Sequence, residues 1–277
     1  MIKVRISNEK STVIDFPCSD NVLNEKLMEI GAQFFTLRDH CRNLSDFAES
    51  LKKVADIGYK TVQISGVCPY EPEWLAEQLK KNDLRCVLTH TPPANIAANP
   101  EAVAKDHEIF GCEHVGIGWF AFDEAQENGS FADFLRLFKP AAEVLKANGK
   151  YLMYHNHAHE FRRLDGKLIF EKMAEEMPAD LMGFTVDTYW VQIGGCDPAQ
   201  WIENLAGRVH CIHLKDYAYG PSMAVVGEGN LNWNRIFKAA EASGTRYLLV
   251  EQDDCHGEDP FECLKRSYNN LRAFGFK

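Results

Sequence analysis

The stretch from Tyr151 to Phe161 reads YLMYHNHAHEF and decides the fold of the chain. It begins as a short apolar run, which is typical of a buried strand in a parallel sheet. It ends in three histidines and a glutamate, so polar side chains follow directly on the apolar run. This order predicts a strand of an α/β barrel, because the carboxyl ends of barrel strands carry the chemistry of that fold.

Three later segments, MGFTVD, VHCIHLKD and YLLVEQD, also run from apolar to polar residues. Their polar ends are Asp187, then His213 with Lys215, and then Glu251 with Asp253. Two carboxylates and an imidazole form a ligand set that suits Mn²⁺, Mg²⁺, Co²⁺ or Zn²⁺. We therefore expect Asp187, His213 and Glu251 to bind one divalent ion. A buried hydrogen-bonded network without an ion is the alternative.

Short apolar runs recur at regular intervals along residues 31–277 of the 277-residue chain. They begin near Ala32, Thr61, Leu84, His114, Lys150, Leu181, Arg208 and Arg246. Each interval leaves room for a loop and one helix, which indicates alternating strands and helices and therefore a parallel sheet. Eight such units predict a single (β/α)8 TIM barrel, a fold of about 250 residues. A doubly wound open sheet is the alternative, but no GxGxxG motif follows the first strand.

Prolines and a polar cap mark the expected starts of helices in these units. Pro72, Pro100, Pro198 and Pro260 each open a helical pattern, and proline is favoured in the first turn of a helix. Ser45 is expected to cap the first helix, because a serine side chain accepts hydrogen bonds from the free amides there.

Residues 1–30 lie outside the repeating pattern and are predicted to form an N-terminal extension. KVRIS and TVIDF flank the polar NEKS, which predicts a β-hairpin, and Asn21–Ile30 is expected to form a short helix. We expect the extension to cover the bottom of the barrel or to form a dimer contact.

The composition excludes several classes of protein. Lys plus Arg is 30 and Asp plus Glu is 40, a net charge of −10 that disfavours binding to nucleic acid. No window is long and apolar enough to span a bilayer, and MIKVRISNEK lacks the apolar segment of a signal peptide. Nine cysteines from Cys18 to Cys263 form no CxxC motif, which indicates reduced thiols and a cytoplasmic protein.

A fourth metal ligand is expected from the opening stretch, and two residues compete for that role. Glu160 would complete an oxygen-rich site, and we favour it. His155 is the alternative, because it lies nearer the expected end of the strand. In extended chain His155, His157 and His159 would share one face, so a three-histidine zinc site also remains open.

Three further side chains are candidate contacts for a polyol substrate. His90 ends the third strand, and Gln63 lies near the end of the second. Trp190 follows soon after Asp187 and is placed to stack on a sugar ring. An ordinary structural role, in the core or in a hydrogen bond, is the alternative for each of them.

Lys215 and the loop after the seventh strand add a charge argument. Lys215 lies two residues after His213, so it faces the same way and is a candidate acid or electrostatic stabiliser; an ion pair is the alternative.

Glu228, in a glycine-flanked loop where many barrels bind phosphate, is a candidate substrate contact. However, EQDDCHGEDP carries five carboxylates from Glu251 to Asp259. These carboxylates would repel a phosphate, so we expect an uncharged sugar or ketosugar as the substrate. A solvated rim without a role in binding is the alternative.

Taken together, these motifs make the chain resemble the xylose isomerase-like TIM barrels known as sugar phosphate isomerases/epimerases. The resemblance runs from about Gly31 to the C-terminus. It is carried by YHNH with a following EF, DTYWVQIGGCDP, HLKD, VGEGN and VEQD. It implies a divalent metal, often Mn²⁺, held by Glu, Asp, His and Glu from strands 5 to 8. Asp187, His213 and Glu251 match this set residue by residue, whereas Met153–His155 stands where the family has its strand-5 glutamate.

The resemblance implies a divalent-metal-dependent sugar isomerase or epimerase. Such an enzyme removes a proton next to a carbonyl, and the metal stabilises the resulting enediolate. Glu251 is expected to be both ligand and base, followed by Glu160, His157 and Lys215 as candidates for proton transfer. His155 is expected to contact the substrate if it does not bind the metal.

Two other functions remain open at this point. One is a β-eliminating lyase or dehydratase that acts on a ketosugar, keto-glycoside or inosose. The other is a barrel that binds metal and sugar without turnover. The apurinic endonucleases share the fold, but the net charge of −10 disfavours their DNA substrate. The expected partner is a small sugar, and a homodimer or homotetramer is left open.

Overall fold

The computed structural model describes residues 28–276, which form a closed barrel of eight parallel strands. The barrel strands are β1 (Glu29–Gln33), β2 (Thr61–Ile64), β3 (Arg85–His90), β4 (His114–Ile117), β5 (Tyr151–His155), β6 (Met182–Asp187), β7 (Cys211–Leu214) and β8 (Tyr247–Val250). The barrel closes because β1 pairs with β8 on one side and with β2 on the other. The predicted TIM barrel is therefore confirmed, and the open sheet is excluded.

Helices surround the barrel in the expected alternation. They are α1 (Leu44–Ile57), α2 (Pro72–Lys81), α3 (Pro93–Ala98), α4 (Pro100–Ile109), α5 (Phe131–Ala147), α6 (Ile169–Glu176), α7 (Thr188–Ile193), α8 (Pro198–Asn204), α9 (Trp233–Ala242) and α10 (Pro260–Ala273). The cap predicted at Ser45 is wrong: α1 begins at Leu44, and Asn43 Oδ1 accepts the hydrogen bond from Asp46 N at 3.0 Å. No helix in the described part of the chain has the length and apolarity needed to cross a bilayer.

Several short elements interrupt the regular repeat. Helices α3 and α7, two 3-10 turns and two small hairpins were not predicted. The 3-10 turns are Phe34–His40 and His159–Phe161, and the hairpins pair Arg163–Leu164 with Lys167–Leu168 and Asp216–Ala218 with Ser222–Ala224. The predicted N-terminal hairpin lies outside the described residues. Glu29 and Ile30, expected at the end of a helix, belong to β1.

Alternation along the strands builds the floor of the site. Leu152 and Tyr154 belong to the outer core beneath the helices, so Met153 and His155 face the barrel axis. Met153 packs with Cys211, Leu249 and neighbouring apolar residues in an inner cluster. Two positions after these three residues come His155 at the end of β5, His213 in β7 and Glu251 after β8. Their side chains therefore project above this apolar layer, at the C-terminal mouth of the barrel.

One glycine in β1 allows the strands to approach closely. A Cβ atom on Gly31 would lie 2.5 Å from Thr61 Oγ1 and 2.8 Å from Leu249 Cδ2. Both distances are too short for real carbon contacts, so a larger residue here would displace the neighbouring strand or the inner cluster.

Candidate metal centre

Four polar side chains meet at the C-terminal mouth of the barrel. They come from the ends of consecutive strands: His155 ends β5, Asp187 ends β6, His213 lies in β7 and Glu251 follows β8. All four are buried, and one ligand atom from each lies within 4.8 Å of the other three. We call these four residues the candidate centre. Asp187, His213 and Glu251 thus converge as the sequence led us to expect, and His155 takes the fourth place.

Each residue of the candidate centre uses one polar atom in a hydrogen bond that faces outward. The four bonds are His155 Nδ1 to Gly118 O at 3.0 Å, His213 Nε2 to Gln63 Oε1 at 2.7 Å, Trp190 N to Asp187 Oδ1 at 2.9 Å, and Gln33 Nε2 to Glu251 Oε1 at 2.6 Å. Such partners fix the ring orientation and the tautomer of metal-binding side chains. The remaining nitrogen or oxygen of each residue therefore faces the interior of the group.

These inward atoms are acceptors that face one another. A neutral His155 that donates from Nδ1 has only a lone pair at Nε2, which lies 3.2 Å from Asp187 Oδ2. Similarly, His213 Nδ1 lies 2.8 Å from Glu251 Oε2 and has no hydrogen-bond partner among residues 28–276. Lone pairs this close repel unless a proton or a metal cation lies between them. Burial alone would lower the pKa of His213, but Glu251 and Asp187 raise it, so a proton on Nδ1 is favoured when no ion is bound. Ligands about 2.0–2.2 Å from a tetrahedral ion lie about 3.3–3.6 Å apart, so this donor set fits a divalent metal.

Lys215 supplies a cation beside the candidate centre. It is buried, and its Nζ lies 3.0 Å from Asp187 Oδ2, from Glu251 Oε2 and from Asp253 Oδ2. Burial alone would lower the pKa of Lys215, but the three carboxylates raise it, so the side chain stays an ammonium. The ring of Trp190 covers this ammonium, whose Nζ lies 5.5 Å from the ring centroid.

Electrostatics keep the two carboxylates of the candidate centre ionised. Burial alone would raise the pKa values of Asp187 and Glu251, but the charge of Lys215 is the main influence that holds both pKa values well below their ordinary range. Burial also raises the pKa of Asp253 to about 6, and the charge of Glu251 acts in the same direction. The centre is thus anionic at neutral pH, and its rim carries a carboxyl group that titrates near neutrality.

A cavity of about 610 Å³ opens above the candidate centre. His90 and His157 line it, and His90 Nε2 and His157 Nδ1 have no hydrogen-bond partner in the described part of the chain. Burial lowers the pKa of His157 to about 2 and that of His90 well below its ordinary value, so both rings are neutral. Ser65 Oγ lies 3.0 Å from His90 Nδ1 and holds that ring. Neutral imidazoles with a free nitrogen can hydrogen-bond the hydroxyl groups of a polyol.

Glu160, the favoured fourth ligand, does not lie in the candidate centre. The chain leaves β5 at Asn156 and forms the 3-10 turn His159–Phe161, which carries Glu160 behind the strand. Its Oε1 accepts a hydrogen bond from Tyr154 OH at 2.6 Å, and its Oε2 accepts one from His157 N at 2.8 Å. The carboxylate is therefore used to fix the strand end. The alternation that suggested a three-histidine site also ends there, because the chain is no longer extended.

Three expected substrate contacts have other positions. Gln63 orients His213, as described above, and does not line the cavity. Trp190 also lies outside the cavity wall, over Lys215. Glu228 makes an ion pair with Arg266 at 2.9 Å, away from the cavity. Of the expected contacts, His90 and His155 are the ones that line it, together with His157, which was expected as a candidate for proton transfer.

The sequence reasoning missed several residues of the site. Trp119 lines the cavity and is 53% exposed, unusual for so large an apolar side chain. It follows β4 in the segment HVGIGW, so its place after a strand end was the signal that could have found it. Asn156 Oδ1 accepts a hydrogen bond from Asp187 N at 3.0 Å and thereby joins the ends of β5 and β6. That contact spans 31 residues and has no local sequence signal.

Comparison with known proteins identifies related folds. The sequence model of the family described as "Xylose isomerase-like TIM barrel" matches residues 51–271. No curated protein matches the chain at a significant level. A sugar phosphate isomerase/epimerase from Parabacteroides distasonis ATCC 8503 is similar in structure, with a TM-score of 0.76 and 23% identity. That likeness covers 93% of this chain and 98% of the other.

Two further solved structures carry named activities. L-ribulose 3-epimerase is similar with a TM-score of 0.70 and 18% identity, over 90% of this chain and 94% of the other. The probable 3-DHS dehydratase AsbF from Bacillus anthracis is similar with a TM-score of 0.67 and 12% identity, over 88% and 99%. At such identities the likeness shows the fold alone.

Proposed function

The chain belongs to the xylose isomerase-like TIM barrel family, and on that premise we propose that it is a divalent-metal-dependent sugar isomerase or epimerase. One observation carries the proposal. Each of the two imidazoles and two carboxylates of the candidate centre makes a hydrogen bond to the protein through one nitrogen or oxygen. The second nitrogen or oxygen of each faces a common point. The fold neighbours include proteins named as an isomerase/epimerase and as an epimerase, which agrees with this reading.

His155, Asp187, His213 and Glu251 would hold the ion, and Mn²⁺ is the first choice. Their two carboxylates and the Lys215 ammonium leave one negative charge, which a divalent cation more than offsets. The bound ion would supply Lewis acidity toward a substrate carbonyl and its neighbouring hydroxyl.

Glu251 is the proposed base. It is ionised, it lines the cavity, and the Gln33 amide fixes its plane through Oε1. A base held in contact with the reacting carbon is typically worth about 10²–10⁴-fold in rate. Lys215, 3.0 Å from Glu251 Oε2, would stabilise negative charge as it develops and return a proton. His90 and His157 would bind substrate hydroxyls, and Trp119 would cover an apolar face of the ring.

A β-eliminating lyase is the second candidate function. Elimination needs a proton donor near the leaving group in addition to the base. Asp253 lines the cavity, and its Oδ1 has no hydrogen-bond partner among the residues that the structure describes, so a carboxyl group is available on the rim. The likeness in fold to a probable dehydratase is consistent with this alternative.

Incubation of the Mn²⁺-loaded protein with a panel of ketoses and ketosugars in D₂O tests the proposal. An isomerase or epimerase incorporates deuterium at the carbon next to the carbonyl and yields a product of unchanged composition. A lyase incorporates deuterium and also releases water or an aglycone, which would replace the first proposal with the second. Sugar binding without exchange would contradict both and leave a non-catalytic barrel.

A further inference from the structure

The glycine-rich loop after β7, residues 225–231, closes around a carboxylate of the chain itself. Asp216 is fully buried, and it accepts five hydrogen bonds. The donors are Gly227 N at 2.9 Å, Gly229 N at 3.0 Å and Trp233 Nε1 at 2.7 Å to Oδ2, and Tyr217 N at 2.8 Å and Leu231 N at 3.3 Å to Oδ1. A cluster of backbone N–H groups around one anion is the arrangement with which proteins bind phosphate.

The amides of this loop point away from the cavity. Lys215 and Asp216 follow each other directly after the end of β7, but their side chains have different surroundings. Lys215 lines the cavity, whereas Asp216 lies under the loop and does not line it. Gly229 permits the close approach, since a Cβ atom there would lie 2.4 Å from Asp216 Oδ1. The loop that serves phosphate in many barrels therefore offers these N–H groups to Asp216 and not to a ligand.

The lysine in the described lining of the cavity and the arginine beside the loop are also paired with the chain's own carboxylates. Among the described residues that line the cavity, Lys215 is the only lysine or arginine, and three carboxylates lie 3.0 Å from it. Beside the loop, Arg266 pairs with Glu228 and Glu258. A phosphate group in the cavity would meet no free positive side chain of the described lining, and it would face Glu127 and Asp253 on the wall.

We propose that Asp216 fills the anion-binding position of this barrel, and that the substrate is consequently an unphosphorylated sugar. The sugar part of this inference rests on the proposed function. The anion part rests on the contacts of Asp216 alone. The loop is thus built around an internal anion, and specificity against phosphate esters follows from two features, the filled loop and the acidic rim.

Binding measurements on the Mn²⁺-loaded wild-type protein test the substrate class. Calorimetry compares each neutral ketose of the panel with its phosphate ester, and thermal unfolding is followed with inorganic phosphate. We expect the neutral sugar to bind at least about tenfold more tightly than its ester, and inorganic phosphate to leave the melting temperature unchanged. Tighter binding of an ester, or stabilisation by inorganic phosphate, would overturn the inference. If no sugar of either kind binds, the proposed function fails, while the inorganic phosphate result still decides the anion part.

Chemical rescue tests the role of Asp216 directly. Asp216→Gly removes the carboxylate and leaves the N–H groups without an acceptor, so the melting temperature should fall. Formate should restore much of the loss in this variant and change neither the wild type nor Asp216→Asn, whose side chain still fills the space. If Asp216→Gly unfolds, refolding with and without formate gives the same comparison. A variant that folds as well without formate as with it would overturn the proposal.

Discussion

The two ends of the barrel both bring histidines and carboxylates together, but only one end leaves their lone pairs facing a common point. At the N-terminal end, Glu113, His114 and His210 offer ligand atoms within 4.8 Å of one another, as the candidate centre does. Here Arg246 occupies the space: its Nη2 lies 2.8 Å from His114 Nε2, 3.2 Å from His210 Nδ1 and 3.1 Å from Glu113 Oε1. The arginine contacts the imidazole nitrogens of this end directly, whereas Lys215 at the candidate centre contacts the carboxylate oxygens and leaves the inward imidazole nitrogens without a cation beside them.

Charge separates the two ends further. Two buried carboxylates and one ammonium leave a net charge of −1 at the candidate centre. One carboxylate, 49% exposed, and one guanidinium leave no net charge at the N-terminal end. Metal-competent residue types at short distance are therefore not enough to indicate a metal site. What distinguishes the ends is whether the protein already satisfies the lone pairs.

The largest expected effect is the loss of proton transfer in Glu251→Gln. The amide keeps the size and a neutral oxygen ligand but removes the basic site. We expect turnover and deuterium exchange at the substrate carbon to fall by about 10²–10⁴-fold in protein that has been fully loaded with Mn²⁺. Glu113→Gln, the matched change at the other end, should exchange as wild type does. Exchange near the wild-type rate in Glu251→Gln would leave Glu251 as a ligand only.

A pair of histidine variants compares metal affinity at the two ends. His213→Ala removes a ligand, and since loss of outer partners alone costs about 10–100-fold in affinity, we expect its Mn²⁺ affinity to fall by at least about 100-fold. His210→Ala should bind Mn²⁺ as wild type does. Titration calorimetry on metal-free protein measures both. Equal losses in the two variants would show that the ends do not differ as described.

Removal of the Lys215 ammonium and removal of the Arg246 guanidinium should change the unfolding free energy by different amounts. Lys215→Met leaves Asp187 and Glu251 buried without their counter-ion, so the metal-free protein should lose about 3–5 kcal/mol of unfolding free energy. Mn²⁺ should restore most of it, because the ion supplies the missing charge. Arg246→Met, at a half-exposed site, should cost about 1 kcal/mol or less, and Mn²⁺ should not reverse it. Denaturant unfolding with Mn²⁺ or with chelator gives these values.

The last expected effect concerns pH and the N-terminal end. Burial lowers the pKa of His114 to about 4, below its ordinary value of about 6.5. The unfolded chain then binds more protons between these values, so the contribution is complete above about pH 6.5 and is lost as pH falls toward 4. His114→Gln should reduce the dependence of unfolding free energy on pH in this window by up to about 1.4 kcal/mol per pH unit. An unchanged dependence would contradict the assignment.

Most of the fold could be predicted from the sequence, because the alternation of strands and helices and the residues that begin helices are local signals. The apolar runs begin within three residues of the observed strands, and the four prolines stand where helices begin. The cap of α1 was misplaced because Asn43 and Ser45 are both good capping residues. Only the structure decides between them.

Only the candidate site residues that lie at strand ends could be predicted from the sequence. Asp187, His213 and Glu251 could be found because each follows an apolar run. Glu160 was misplaced because the sequence does not say that the chain turns away after His155. The partners of these residues have no local signal at all: Gln33 bonds Glu251 across 218 residues, and Arg246 reaches His114 across 132.

The most direct test of the account is the number of Mn²⁺ ions per chain together with the ligands that bind them. Elemental analysis of reconstituted protein gives the number, and electron spin echo spectroscopy detects coupled imidazole nitrogens. We predict one ion per chain coupled to two imidazoles, and loss of one coupling in His155→Ala but not in His210→Ala. Protein that retains no Mn²⁺, or a signal that His155→Ala leaves unchanged, would contradict the candidate centre described above.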